Sequence, residues 1–173
     1  HTTMRTAVLA VVIALALVTG ATPGAAQSGD VAAAGVTIDV HVAQSGDAVW
    51  EVSTAFALDD ADDREAFRRL AEEIANGSSP PGFDADTAEA LVAAGDERTH
   101  RDMTLTEVEQ ATRLTENGTR GVVTLSFRWT AFAAANGDTV AVGDAFGSWT
   151  LTESQRLRLH PPEDAGLLSV EPD

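Results

Sequence analysis

Residues 120–146, RGVVTLSFRWTAFAAANGDTVAVGDAF, decide how the chain is read. Val123, Leu125, Phe127, Trp129 and Ala131 fall at every second position, with Thr124, Ser126, Arg128 and Thr130 between them. Successive side chains of a strand point to opposite faces, so this alternation predicts a half-buried strand. Asn136-Gly137-Asp138 is a turn signal, after which Thr139 to Val142 is expected to start a return strand. No other segment gathers two large aromatics and three branched aliphatics in so short a span. It is therefore expected to be the central strand of one sheet.

Upstream, Val36, Ile38, Val40 and Val42 alternate with Thr37, Asp39 and His41, and Gln44-Ser45-Gly46-Asp47 supplies a turn. Ala48 to Leu58 returns with Trp50, Val52, Phe56 and Leu58 on one face, so strand, turn and strand predict a hairpin. The period then changes. Asp59, Asp60, Asp62 and Asp63 suit a helix N-terminus, and Phe67, Leu70, Ala71 and Ile74 follow as one apolar stripe. Asn76-Gly77 ends that helix. Asp84 or Asp86 is placed to cap a second helix, running to about Arg101 with Ala88, Leu91 and Val92 inward and Gly95 weakening it. Met103 to Thr115 predicts a strand whose apolar positions slip phase between Leu105 and Val108, the mark of a bulge. Leu157 and Leu159 announce a last strand before Pro161-Pro162. The expected fold class is α+β: a mainly antiparallel, sandwich-like sheet with an inserted helical hairpin.

The 173 residues divide into three parts on this reading. Residues 1–26 carry Arg5, the uncharged apolar run Ala7 to Val18, and small residues through Ala26, the pattern of a signal peptide. The alternative is an uncleaved anchor, but Gly20, Pro23 and Gly24 interrupt the run short of the ~20 apolar residues that span a bilayer. Residues 27–35 form a flexible lead-in, and 36–173 a single extracytoplasmic domain or a fragment of a longer membrane protein. The chain has no Cys, so disulfides and thiolate metal sites are excluded.

Charge is the strongest compositional signal. The chain holds 11 basic residues, all Arg, against 27 acids, for a net charge of −16. Such a surplus keeps a chain soluble and repels itself, an arrangement suited to strong salt, where the screening length falls to about 3 Å near 1 M. It also argues against nucleic acid or an anionic lipid face as partner.

Motifs that could carry chemistry are few. His100-Arg101-Asp102 matches three letters of a kinase catalytic loop, but the accompanying Gly-rich loop, Lys and Asp-Phe-Gly are missing, leaving a polar helix end. His1, His41, His100 and His160 show no metal-ligand spacing, and no Gly-x-Ser-x-Gly elbow is present. Asp59, Asp60, Asp62 and Asp63, and then Asp84, Asp86 and Glu89, fit caps and a wet acidic surface better than a calcium loop. No catalytic residue, metal or cofactor is expected. Asn76-Gly77-Ser78 and Asn117-Gly118-Thr119 are acceptor sequons, which makes Asn76 and Asn117 the glycosylation candidates. The aromatics lie mostly at strand periodicity and read as core. Phe132 and Trp149 are least tied to that pattern and are the candidates for a ligand surface.

Gly46-Asp47-Ala48-x-Trp50 occurs with Phe127-Arg128-Trp129-Thr130-x-Phe132-Ala133, Gly137-Asp138 and Val142-Gly143-Asp144-Ala145-Phe146. Over about residues 34–173 this set resembles an uncharacterised haloarchaeal exported domain. The resemblance implies a place behind a signal peptide and before a transmembrane helix and a cytoplasmic winged helix-turn-helix module. It supplies no catalytic residues. The expected function is that of a non-enzymatic outer sensor or interaction module of a membrane protein, tethered through a segment beyond Asp173 or through an uncleaved N-terminus. A secreted or cell-envelope structural protein is the alternative, and a secreted hydrolase the third reading.

Overall fold

The computed structural model describes residues 31–79, 82–115, 117–146, 151–163 and 165. The expected signal peptide, residues 27–30 of the lead-in and Trp149 lie outside the described residues. The lead-in, expected to be flexible up to residue 35, instead enters the first strand at Ala33, where it is paired with the neighbouring strand. The elements run β1 (Ala33–Val42), β2 (Ala48–Ala57), α1 (Ala61–Ala75), α2 (Ala85–Thr99), β3 (Thr104–Leu114), β4 (Arg120–Thr130), β5 (Ala134–Asn136), β6 (Thr139–Ala141) and β7 (Gln155–His160). Five of them form one sheet in the order β3-β4-β2-β1-β7. All its pairings are antiparallel except β1 with β7, which is parallel. The fold is α+β, as the change of period from two to 3.6 and back implies.

The registers sort the side chains. Trp50 faces Phe127 and Val40 across its two neighbours, and Val52 faces Leu125 and Ile38. These residues share one face and are buried, with Trp50 and Val40 at 0 % exposure. Both helices cover that face, each over its own part of the core. α1 brings Phe67 and Ile74 onto Phe56, Leu58 and Val123. Gly121 makes this possible, because a Cβ there would meet the Phe67 ring at 2.4 Å. The chain entering α2 lays Phe83 flat on Phe127, at 6.3 Å between ring centroids, and Ala88 and Val92 follow into the same cluster.

The helix ends are as the acids foretell. Asp60 and Asp63 form a reciprocal capping box on α1. Asp84, rather than Asp86, caps α2 by accepting from the Thr87 amide and hydroxyl. Those two bonds hold the Asp84 carboxyl below its ordinary pKa. Gly95, which weakens α2 on propensity alone, is there for space: a Cβ would meet Trp129 at 2.8 Å and the Met103 sulfur at 2.9 Å.

Two details of the deciding stretch differ from expectation. The centre of the sheet is β2, with β4 one place outward and hydrogen-bonded on both sides. The expected return strand, now β6, pairs with β5 in a separate two-stranded sheet and, among the described residues, not with β4. The cause is Ala131, whose φ of 54° turns the chain out of β4. The Ala131 amide donates to Asp47 Oδ1 at 2.9 Å, and the Ala133 amide donates to the Gly46 carbonyl at 2.8 Å. The β1–β2 turn thereby holds the crossover in place.

Candidate recognition face

With both helices and the β5–β6 hairpin packed on the core side, no described element covers the other face of the sheet. Across it, from β7 to β3, the registers place Arg156, Arg158 and His160, then Thr37, Asp39 and His41, then Glu51 and Ser53. Arg120, Thr124, Ser126, Arg128 and Thr130 follow on β4, and Glu109 and Arg113 on β3. This face is polar because alternation gives β1, β2 and β4 an apolar set and a hydroxyl-rich set, and only the first is covered.

Its side chains are linked in small groups. The His41 and His160 rings stack at 4.2 Å and 8° across the parallel β1–β7 junction. The His160 ring is anchored from β1 as well, its Nε2 lying 2.8 Å from Asp39 Oδ1. Arg158 stands 4.0 Å from the same carboxylate, and His41 stands 4.0 Å from Glu51. In the middle, the Ser53 and Thr124 hydroxyls are 3.1 Å apart. Toward β3, Arg128 Nε donates to Glu107 Oε2 at 3.0 Å. Glu107 reaches it because the bulge between Thr106 and Glu109 gives Glu107 a φ of 53° and re-aims its side chain.

Charge is unevenly divided between this face and the rest. With Glu107 included, the open face holds five of the 11 arginines and four of the 27 acids. It is close to neutral on an otherwise acidic molecule. A face with that balance, many hydroxyls and no covering layer is suited to hydrogen-bonded recognition. Among the described residues, no group of three or more His, Asp or Glu side chains is placed to hold a metal ion.

Phe132, Asn76 and Asn117, singled out from sequence, fall elsewhere. Phe132 is fully buried, in edge-to-face contact with Trp129 at 5.1 Å, Phe146 at 5.2 Å and Trp50 at 5.6 Å. It packs the core and has no surface to offer a ligand, because the turn at Ala131 swings the following residue inward. Trp149 lies outside the described residues. Asn76 is the exposed C-cap of α1. Asn117 is exposed at the β3–β4 turn, its side-chain carbonyl accepting from the Thr115 and Thr119 hydroxyls at 2.9 and 2.8 Å.

Arg101 has a clear structural use. Its guanidinium donates to the Ala131 and Phe132 carbonyls at 2.8 and 2.7 Å and forms a two-pronged pair with Asp144. That fork holds the Asp144 carboxyl below its ordinary pKa, outweighing partial burial.

The model of one family matches residues 39–165, from the second half of β1 to beyond β7. The chain belongs to the DUF7345 family. It is described as a domain of unknown function. The match takes in both helices and all but the start of the sheet, so the open face, Thr37 aside, is part of the DUF7345 domain itself. None of the curated proteins matches the chain. Sequence reasoning missed this face as a site because its members are spread over five strands. The polar alternation of Thr37, Asp39 and His41 and of Thr124, Ser126 and Arg128 was the available signal, but alternation within a strand does not say which strands share a face.

Proposed function

We propose that this DUF7345 chain is a non-enzymatic recognition module that works outside the cytoplasm, with the open sheet face as its binding surface. The observation that carries the reading is the face itself: a five-stranded sheet covered on one side, with Arg, His, Ser and Thr gathered on the other. Export is supported by the apolar run before residue 20 and the small residues through Ala26. The Lys-free acidic composition supports work in strong salt. On this reading the domain is the outer part of a membrane-bound regulator, and ligand capture on the sheet is the signal it passes on. Asn76 and Asn117, both exposed, are its glycan acceptors.

The test compares variants on the two sides of the molecule. Thr124→Arg places a long cation in the middle of the open face, and Glu89→Arg places one on the exposed side of α2. Binding of the purified chain to an immobilised cell-envelope fraction is measured in molar salt. The expected result is at least a tenfold loss for Thr124→Arg and none for Glu89→Arg. Equal retention of both variants overturns the assignment of the face.

A further inference from the structure

We propose that β3 is a dimerisation edge, along which two copies of this chain pair antiparallel through residues 108–114 about a two-fold axis at Ala111. Among the described residues β3 is bonded on one side, to β4, and its other side is an edge of the sheet. Such an edge presents a row of backbone donors and acceptors to any strand that fits. Natural edges are guarded by bulges and by charged side chains that find no partner across the gap. Here the bulge takes in Glu107 and Val108, which have no register partner on β4, and leaves β3 regular from Glu109 to Leu114, with Val108 at the margin of the pairing segment.

The segment Val108-Glu109-Gln110-Ala111-Thr112-Arg113-Leu114 has the same chemical order from either end: apolar, charged, polar, small, polar, charged, apolar. Its charged positions are of opposite sign. Antiparallel pairing about Ala111 therefore sets Glu109 opposite the partner's Arg113, and Arg113 opposite the partner's Glu109. It sets Val108 opposite the partner's Leu114 and Gln110 opposite the partner's Thr112. The faces agree as well. Glu109, Ala111 and Arg113 lie on the open face, while Gln110, Thr112 and Leu114 lie on the helix side, with Val108 among them by alternation.

What is exposed on the single chain is what this pairing covers. Val108 is 41 % exposed and Leu114 55 %, two of four large hydrophobics that stand out among the described residues. Neither Glu109 nor Arg113 has an ion-pair partner among the described residues, although Arg128, Arg101 and Arg158 each do. Opposite charges and apolar pairs directly across two strands stabilise a sheet, and like charges there oppose it. Because the patch is its own complement, the assembly closes at two copies. Its product is a ten-stranded sheet with one continuous open face.

The experiment is sedimentation velocity of the full chain, at the lowest salt that keeps the circular dichroism of the folded state. A dimer is expected. Glu109→Arg and Arg113→Glu each set like charges opposite each other twice, and each weakens association at least tenfold. The double variant Glu109→Arg, Arg113→Glu restores the wild-type affinity to within about threefold. Val108→Asp, exposed like the others, separates the copies even in salt that screens the charge pairs. A chain that stays monomeric at every concentration overturns the proposal. So does a dimer that ignores both single reversals, or a double variant that does not recover.

Discussion

Gly46→Ala is expected to lower the thermal midpoint of the domain by on the order of 10–20 °C. Gly46 has a φ of 88°, a conformation that costs a non-glycine residue about 1–3 kcal/mol. A Cβ there would also meet the Ala133 carbonyl oxygen at 2.4 Å. That oxygen is backbone, so relief requires the whole crossover from β4 to β5 to move. The same crossover is what the Gly46 carbonyl and Asp47 carboxylate hold through the Ala133 and Ala131 amides. Strain and lost bonds together predict a destabilisation of about 2–6 kcal/mol, measured by thermal or denaturant unfolding. Gly118, whose Cβ would meet nothing within 4 Å, is the control, with a change limited to the cost of its own positive φ.

Arg101→Met is the second large effect, about 2–3 kcal/mol at neutral pH. It removes the donors to two carbonyls at the crossover and leaves Asp144 without its cation. Asp144 is half-exposed, so water takes back part of its charge, and the figure is set below that of a fully buried pair. The pH dependence has a definite sign. Asp144 has a folded-state pKa below its unfolded value, so its contribution is present above about pH 4. It is lost as pH falls through the depressed folded value. The gap between wild type and Asp144→Asn should therefore be full at pH 6 and close on acidification, in paired denaturant titrations. A gap unchanged from pH 6 to below pH 3 would mean that the carboxylate charge is not what matters.

Much of this architecture was legible in the chain, for a reason that also marks where legibility ends. β1, β2 and β4 announce themselves because one face is dry and the other wet, and the alternation of Val, Trp and Phe with Thr, Ser and Asp records that difference directly. The acids before each helix mark its start locally, though the choice of Asp60 among four and of Asp84 over Asp86 comes from the fold. The turn at Ala131 carries no such mark. An alanine with φ of 54° looks like any other, and the groups that hold it come from Gly46 and Asp47 on a distant turn. That kink moved Phe132 from an apparent outlier of the strand pattern into the core.

The parallel seat of β7 beside β1 is invisible for a similar reason. Gln155 to His160 alternates leucine with arginine and reads as a strand, but nothing in it names its neighbour. The histidines at 41 and 160 therefore looked solitary in sequence and are stacked in the fold. Gly95 misled in the other direction. Its helix propensity is poor, and only the approach of Trp129 and Met103 explains its place. The open face combined both difficulties, being built from alternate residues of five strands and defined by what the helices leave uncovered.

The most direct test of that face is arginine footprinting with phenylglyoxal, read by mass spectrometry, with and without the cell-envelope fraction. Arg128, Arg156 and Arg158 report on the open face, and Arg68 and Arg69 on the exposed side of α1. Recognition through the open face predicts that the first three lose reactivity when the fraction is present while the two on α1 keep theirs. Protection confined to Arg68 and Arg69, or protection nowhere, would contradict it.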